Sequence, residues 1–161
     1  MAKEKSDKSV IGWREWASLP DLGIPAIKMK IDTGARTSAL HAFKVETFIE
    51  AGKGRVRFSV HPLQRRRDIE ITSVADIVEE RIVSDSGGHR EKRIVISTPI
   101  QLGDKKWNVE LTLTDRDTMR FRALLGRTAM EGSLIVDPEK SYLTGKAIRH
   151  EYIKSLKREK K

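Results

Sequence analysis

The feature that most restricts the fold of this chain is its division into short segments in which apolar and polar residues alternate. Residues 25–31 and 55–60 alternate cleanly, which is the period of a half-buried strand. Further strands are predicted at residues 11–19, 37–49, 69–77, 80–84, 92–98, 106–114 and 134–136. Residues able to turn the chain separate them: Pro20, Pro62, Gly87, Gly88, Pro99, Gly103 and Pro138. Since only residues 127–131 and the stretch from residue 147 favour helix, we predict an all-β antiparallel sandwich or barrel.

Length and composition limit the classes to which the protein can belong. The chain has 161 residues, which suits one domain, and it contains no cysteine, which excludes disulfides, thiolate nucleophiles and sulfur-ligated metal sites. No apolar run approaches the roughly 18 residues that span a bilayer, and the charged N-terminus leads into no apolar signal core. We therefore expect a soluble, cytoplasmic protein without membrane contact. Its predicted parts are a disordered segment 1–10, a domain 11–145 and a basic tail 146–161.

The net charge of +9 is unevenly distributed along the chain. Residues 146–161 carry seven basic residues against Glu151 and Glu159, and residues 65–67 are three consecutive arginines. This excess predicts attraction to an anionic partner such as nucleic acid, the ribosome or an acidic peptide, or else a solvated tail that aids solubility. Only two Tyr and four Phe are present, and no interleaving of basic and aromatic residues resembles a base-stacking platform, so nucleic-acid binding is disfavoured.

Residues 31–35, Ile-Asp-Thr-Gly-Ala, are the stretch that carries the clearest chemistry. The predicted strand ends at Asp32, and small residues follow that let the backbone turn sharply. This arrangement holds a carboxylate at the rim of a sheet, where catalysis can use it. Acid–base catalysis of hydrolysis by carboxylates requires a second such group, which the local sequence does not supply.

Two later segments are predicted to lie near this turn. Residues 83–89 read as a hairpin with Gly87 and Gly88 at its tip, either a lid over a substrate or an ordinary surface turn. Residues 121–130 read as a buried run that ends at Gly126 and leads into a short helix. A glycine at position 126 lets this strand pass close to the turn that bears Asp32.

In this order, the three segments resemble the retropepsins, the dimeric aspartic proteases of retroviral type. More closely, residues 12–16, 19–23 and 30–42 resemble a bacterial retropepsin-like family named "ATP-dependent zinc protease". Its members are associated with RimK-type ATP-grasp ligases that add glutamates to a ribosomal protein. The resemblance covers residues 11–145. It implies a closed β-barrel of the acid protease fold with a short helix after the Gly-Arg motif.

The resemblance also supplies the missing carboxylate. In retropepsins each subunit contributes one aspartate across a twofold axis, so Asp32 would meet its own copy. Two carboxylates about 3 Å apart share one proton, as in aspartic proteases generally. The ionised partner would take a proton from the attacking water, and the protonated one would stabilise the oxyanion. The implied catalytic residues are Asp32, Thr33, which braces the site across the axis, and Gly34, which exposes backbone acceptors.

Further roles follow from the same resemblance. Residues 84–90 would form a flap that closes over a peptide bound as an added strand. The implied substrate-binding residues are Ala35, Arg36, His41, Ser86, Gly87, Gly88 and His89, and the implied structural residues are Gly126 and Arg127. Many retropepsins have an acidic residue where Arg36 stands, so Arg127 needs another partner. The candidates are Glu131, Asp137 and Glu139.

The sequence supports neither the zinc nor the ATP dependence in the family's name. It has no His-Glu-x-x-His motif, its histidines at 41, 61, 89 and 150 lie far apart, and it has no phosphate-binding Gly-x-x-x-x-Gly-Lys-Ser/Thr motif. We expect no cofactor.

The leading hypothesis is a homodimeric aspartic endopeptidase acting on peptides or proteins, with glutamate-extended ribosomal tails as implied substrates. The first alternative is a non-catalytic retropepsin-like module that binds acidic peptides or an ATP-grasp ligase. A metallopeptidase is the third interpretation.

Overall fold

The computed structural model describes residues 8–64, 66–84, 87–115, 120–146 and 148. About 60% of the described residues are in strands and 6% are in helices. The strands are β1 (Ser9–Ile11), β2 (Arg14–Leu19), β3 (Ile24–Ile31), β4 (Ser38–His41), β5 (Phe43–Glu50), β6 (Lys53–Val60), β7 (Ile71–Ser84), β8 (Arg90–Leu102), β9 (Lys105–Thr114), β10 (Ala123–Leu125) and β11 (Leu134–Val136). One α-helix, α1 (Arg127–Met130), follows β10, and a 3₁₀ turn spans Pro20–Leu22.

Six strands close into a barrel, so the predicted all-β, closed-barrel fold is confirmed, as is the short helix after the Gly-Arg motif. The order around the barrel is β2-β3-β10-β4-β9-β8, and a pairing of Ser18 with Gln101 returns β8 to β2. Closure gives each of these six strands a neighbour on both sides along at least part of its length. Beyond β8 the sheet continues through β7 and β6 to β5. These outer strands contain most of the residues between Asp32 and the predicted flap.

The core lies inside the barrel and extends beneath the outer strands. Its fully buried side chains come from many strands and include Ile27, Leu40, Phe58, Ile96 and Leu111. Full burial of one such side chain is worth about 1.5–3 kcal/mol. In β3 the apolar members are buried, whereas Lys30 is exposed, because strand side chains alternate between faces. The alternation that predicted β3 therefore fixes which residues face the core.

The predicted strand 11–19 is interrupted at Gly12. A Cβ there would lie 2.2 Å from the carbonyl oxygen of Lys140, so only glycine permits this close approach of backbones. Glu15 is fully buried beside it, and its carboxylate accepts hydrogen bonds from the backbone N–H groups of Gly12, Leu143 and Thr144 and from the Thr144 hydroxyl. At this break, Gly12 and Glu15 near the start of the domain therefore contact Lys140, Leu143 and Thr144 near its end.

Two other predictions about the strands are corrected. The predicted strands 69–77 and 80–84 are replaced by one strand, β7, which begins at Ile71 and whose register shifts between Ile77 and Glu79. Pro99 was predicted to turn the chain but lies within β8, paired with Asn108 of β9. At that point β8 has no second neighbour, because β7 pairs only as far as Ile96 and β2 pairs only at Gln101, so a residue without N–H is tolerated.

The chain ends are described in part. Ser9 and Val10, within the segment 1–10, lie in β1, which pairs in parallel with β11. Of the tail 146–161, where a helix is predicted from residue 147, only residues 146 and 148 are described. No helix in the described part of the chain is long and apolar enough to cross a lipid bilayer.

Candidate active site

Asp32 stands at the end of β3, on the turn that leads to β4. Its backbone N–H donates to the carbonyl of Leu125 in β10 at 2.9 Å, which ties the turn to the neighbouring strand. Its carboxylate Oδ1 accepts hydrogen bonds from the N–H groups of Gly34 (3.0 Å) and Ala35 (3.2 Å). The turn therefore fixes the orientation of the carboxylate, and the side chain remains partly exposed.

Near this carboxylate, a glycine avoids a tight contact at position 34 and is required at position 126. A Cβ on Gly34 would lie 3.3 Å from Asp32 Oδ1, a contact tighter than usual. A Cβ on Gly126 would lie 2.6 Å from the carbonyl carbon and oxygen of Thr37 and 2.9 Å from the carbonyl oxygen of Ala35. The chain after β10 therefore packs backbone to backbone against the turn, as the sequence predicts for Gly126.

The start of α1 clamps the other side of the turn. Arg127 N–H donates to Ala35 O at 2.7 Å, and both the N–H and the hydroxyl of Thr128 donate to Arg36 O. The Arg127 guanidinium donates to Thr33 O at 3.3 Å and lies 4.0 Å from the carboxylate of Glu131, one of its three predicted partners. These contacts hold residues 32–37 in one conformation.

An open groove runs between this turn and the β7–β8 hairpin. On the turn side it is lined by Asp32 and by residues 34–37, and on the hairpin side by residues 81–84. Ser84 pairs with Arg90, so the strands of the hairpin reach the predicted flap. The groove is therefore bordered by the two segments that the sequence places at the site.

The groove is rich in cations. Arg36 is exposed, whereas Arg81 is bound by carboxylates, donating to Glu79 and Glu110. The hydrogen bonds to Glu110 and then to Glu79 raise the pKa of Arg81, so it stays charged. A peptide in the groove therefore meets the exposed charge of Arg36 on one wall, whereas the charge of Arg81 on the other is balanced by two carboxylates.

Arg93 is the buried cation of the groove, with 8% of its surface exposed. It donates to Glu91 at 2.9 Å and to the Thr112 hydroxyl at 3.3 Å, and Thr112 in turn donates to the carbonyl of Ser38. The Ser38 hydroxyl accepts from the N–H of Gly126 at 2.9 Å. A continuous set of hydrogen bonds thus joins the groove to the segment that packs on the Asp32 turn.

The remaining predicted site residues are placed as follows. Gly87, Gly88 and His89 are exposed at the hairpin tip, where Gly88 has a φ of +83°. Ser86 lies outside the described residues. His41 is 3% exposed, its Nε2 lies 3.6 Å from a carboxylate oxygen of Asp115, and it does not line the groove.

Arg81, Arg93 and Glu110 line the groove but were not singled out from the sequence. Arg93 had a detectable signal, because it occupies an inward-facing position of a strand whose other buried residues are mostly apolar. A charged residue at such a position requires partners and marks a candidate site. Arg81 and Glu110 carry no comparable pattern.

The described residues do not fit a zinc site. No three His, Asp or Glu side chains among them are grouped so that they could hold a metal ion. His61 stacks on Phe43 with ring centroids 4.5 Å apart, away from the groove lining, and His150 lies outside the described residues. We derive no step through zinc.

The sequence pattern of one protein family matches residues 10–147 and so includes Asp32, the hairpin and the Gly-Arg motif. That family is described as "RimB-like: Retropepsin-like aspartic endopeptidase RimB". The chain belongs to the RimB-like family. The resemblance to retropepsins is thereby confirmed, whereas the name "ATP-dependent zinc protease" is not shown by this match.

Relatives of this RimB-like chain carry a different name. It is 46% identical over 139 residues to a Shewanella pealeana protein named "Probable alpha-L-glutamate ligase", covering 86% of this chain and 30% of that protein. A Desulfotalea psychrophila protein of the same name is 48% identical over 131 residues, covering 81% and 28%. The chain therefore spans less than a third of the length of these relatives.

A solved structure shares the fold. The RimB-like chain matches the crystal structure of Lpg0085, a Legionella pneumophila protein of unknown function, with a TM-score of 0.71 and 28% identity. The match covers 84% of this chain and 98% of that one. The arrangement of strands described above is therefore present in a known protein.

Proposed function

We propose that this protein is an aspartic endopeptidase in which Asp32 is the catalytic carboxylate. The observation that carries the proposal is the Asp32 carboxylate itself, oriented by two turn N–H groups and open to a groove beneath a hairpin. A rigidly held carboxylate at the floor of a peptide-sized groove is what activation of a water molecule requires. Membership of a family described as aspartic endopeptidases supports the same chemistry.

The second carboxylate comes from a second copy of the chain. Among the described residues that line the groove, the only other carboxylate is Glu110, and it is already bound to Arg81 at 3.0 Å. A twofold axis beside the turn would bring Asp32 of each copy together, with the exposed Thr33 of each copy beside it. Val10 and Ile135, opposite each other in β1 and β11, are about half exposed and offer apolar surface to such a partner.

The reaction then proceeds without a covalent intermediate. The ionised Asp32 takes one proton from water as the water oxygen bonds to the carbonyl carbon of the peptide. The protonated Asp32 of the other copy gives its proton to the carbonyl oxygen, producing a neutral tetrahedral diol. When the C–N bond breaks, the nitrogen receives a proton from one aspartate and a hydroxyl of the diol returns one to the other. The shared proton is restored for the next cycle.

The charges in the groove favour an acidic substrate. Arg36 is exposed on its wall and would attract carboxylates close to the scissile bond, while Arg93 balances the charge of Glu91. A glutamate-extended ribosomal tail fits this requirement. The resemblance of the sequence to the family associated with glutamate-adding ligases implies the same substrate. The peptide would lie extended between the turn and the β7–β8 hairpin, bound through its backbone as an added strand.

Incubation of the protein with glutamate-rich and neutral peptides, followed by mass spectrometry of the products, tests the proposal. We expect new peptide termini with the wild-type protein and a loss of about 10²–10⁴-fold in rate with Asp32→Asn. Asp104→Asn, which removes an exposed carboxylate elsewhere, serves as the matched control and should cleave normally. Equal cleavage by Asp32→Asn and wild type would exclude Asp32 as the catalytic group.

A second candidate function is a non-catalytic module that binds acidic peptides or an ATP-grasp glutamate ligase. The observation that favours it is the name "Probable alpha-L-glutamate ligase" of relatives that extend well beyond the matched region. A domain of this fold next to a ligase can position a growing acidic tail without cutting it. Under this alternative Asp32→Asn leaves binding of acidic peptides unchanged, and the wild-type protein releases no fragments.

A further inference from the structure

A second cleft lies on the side of the barrel formed by β2, β3 and β10. Six cationic side chains line it together with Trp13 and Phe121, and its volume is about 1050 Å³. We infer that this basic cleft binds the carboxylates of an extended acidic peptide. The six cations are Arg14, Lys28, Lys30, Arg67, Arg120 and Arg122.

Within the described residues, no carboxylate neutralises the positive charge of the basic cleft. None of its lining residues is acidic, and in the described part of the chain none of its six cations has a carboxylate within 4.0 Å. By contrast, Arg55, Arg81 and Arg93 on other faces all contact carboxylates. Cations gathered without counter-charges repel one another, and a bound anion relieves that repulsion.

Several of these cations are held in place before any ligand arrives. The Arg14 guanidinium lies over the rings of Trp13 (4.6 Å) and Tyr142 (4.9 Å), and Lys28 donates to Gln64 at 3.1 Å. The Nε of Arg122 is buried and has no hydrogen-bond partner among the described residues. A buried donor without an acceptor is costly, and a ligand oxygen that reached it would remove the cost.

The spacing of the cations fits a peptide in extended conformation. Lys28 and Lys30 are alternate residues of β3, so their side chains share one face and emerge about 6.6 Å apart. Carboxylates on alternate residues of an extended peptide have the same spacing. Guanidinium groups of arginine and ammonium groups of lysine placed at this interval can bind the carboxylates of a row of glutamates or aspartates.

The basic cleft adjoins the groove of Asp32. Leu124 lines both, and Lys30 is only two residues from Asp32 along the chain. An acidic stretch bound in the cleft would therefore direct a neighbouring peptide bond toward Asp32. This link to cleavage rests on the proposed function, whereas binding itself does not.

The aromatic residues of the cleft favour a peptide over a nucleic acid. Trp13 is covered on one face by Arg14 and meets Phe121 edge to face, with centroids 6.0 Å apart at 77°. Recognition of single strands requires ring faces on which bases stack. The rings here instead position a guanidinium.

Fluorescence anisotropy with a labelled peptide of six glutamates at low salt tests the inference in the Asp32→Asn background, where nothing is cleaved. Lys30→Glu/Arg120→Glu reverses two exposed charges of the cleft, and we expect at least about tenfold weaker binding. Lys53→Glu/Lys106→Glu reverses two exposed charges elsewhere and should change Kd less than about twofold. Should the reversal prevent folding, Lys30→Gln/Arg120→Gln is used, with at least about threefold weakening expected.

Equal weakening in both pairs would overturn the inference, because attraction would then follow net charge alone. It would also be overturned if a single-stranded oligonucleotide bound more tightly than the peptide and lost its binding in the cleft variant, since the site would then serve nucleic acid. The proposed function fails separately. Absence of cleavage by the wild-type protein, with cleft-dependent binding intact, removes the peptidase and leaves the peptide site.

Discussion

The N–H of Arg127 donates a 2.7 Å hydrogen bond to the carbonyl of Ala35. This bond joins the first residue of α1 to the turn that carries Asp32, across more than ninety residues of sequence. It can form only because Gly126 brings the two backbones together. The orientation of the Asp32 carboxylate is therefore set by a contact between two distant segments, each recognisable by a short motif.

Replacement of Gly126 by alanine is predicted to destabilise the protein. The new Cβ would lie 2.6 Å from the backbone of Thr37, which cannot yield as a flexible side chain would. We expect a loss of about 2–3 kcal/mol, and hence a melting temperature lower by about 5–10 °C in thermal unfolding followed by circular dichroism. Gly54→Ala is the control, because its Cβ would only touch the side chain of Ile77 at 3.8 Å. Equal melting temperatures for the two variants would contradict the prediction.

Glu15→Gln is predicted to weaken the connection between the two ends of the domain. The buried carboxylate accepts four hydrogen bonds, and an amide would direct its NH₂ group at N–H donors. We expect a loss of about 2–3 kcal/mol in the free energy of unfolding, measured by urea titration. Glu139→Gln alters an exposed carboxylate and should leave the titration midpoint unchanged. A midpoint as high in Glu15→Gln as in the control would refute a structural role for this carboxylate.

Arg93→Met is predicted to reduce selection for acidic substrates. Methionine keeps much of the side-chain length but removes the only cation of the groove that is buried against Glu91 and Thr112. We expect KM for a glutamate-rich peptide to rise about five- to tenfold, with a smaller change for a neutral peptide. The exposed Arg57, remote from the groove lining, provides the control Arg57→Met. Parallel increases for both peptides would indicate a general disturbance of the groove rather than recognition of charge.

The sequence predicted the parts of this molecule that depend on neighbouring residues. The alternation of apolar and polar residues predicted β3, and the small residues after Asp32 predicted the turn. Both patterns depend only on residues a few positions apart. The prediction for Pro99 was wrong because a strand tolerates a proline where no second neighbouring strand pairs with it, and the sequence does not show where such a gap lies. That information is tertiary.

The residues of the site were likewise predictable only where they belong to local sequence motifs. Asp32 and Gly126 belong to local motifs, whereas the basic cleft combines Arg14 of β2 with Arg120 and Arg122 from a segment a hundred residues later. The positions of these cations along the chain do not indicate that they share a surface. His41 lies close to the motif in sequence, yet it is buried, because β4 lies between β10 and β9 and all four of its residues are buried.

Mixing of subunits offers a direct test of the proposed dimer. If each active site needs Asp32 from two copies, a wild-type subunit paired with Asp32→Asn is inactive. At fixed wild-type concentration, joint refolding with an equal amount of Asp32→Asn should reduce peptide cleavage to about half, and a ninefold excess to about one tenth. Refolding with Asp104→Asn should cause no such loss, because that subunit still supplies an intact Asp32. Unchanged cleavage at every ratio of Asp32→Asn would show that one chain suffices for activity, and the carboxylate that completes the site would then have to come from elsewhere in the same chain.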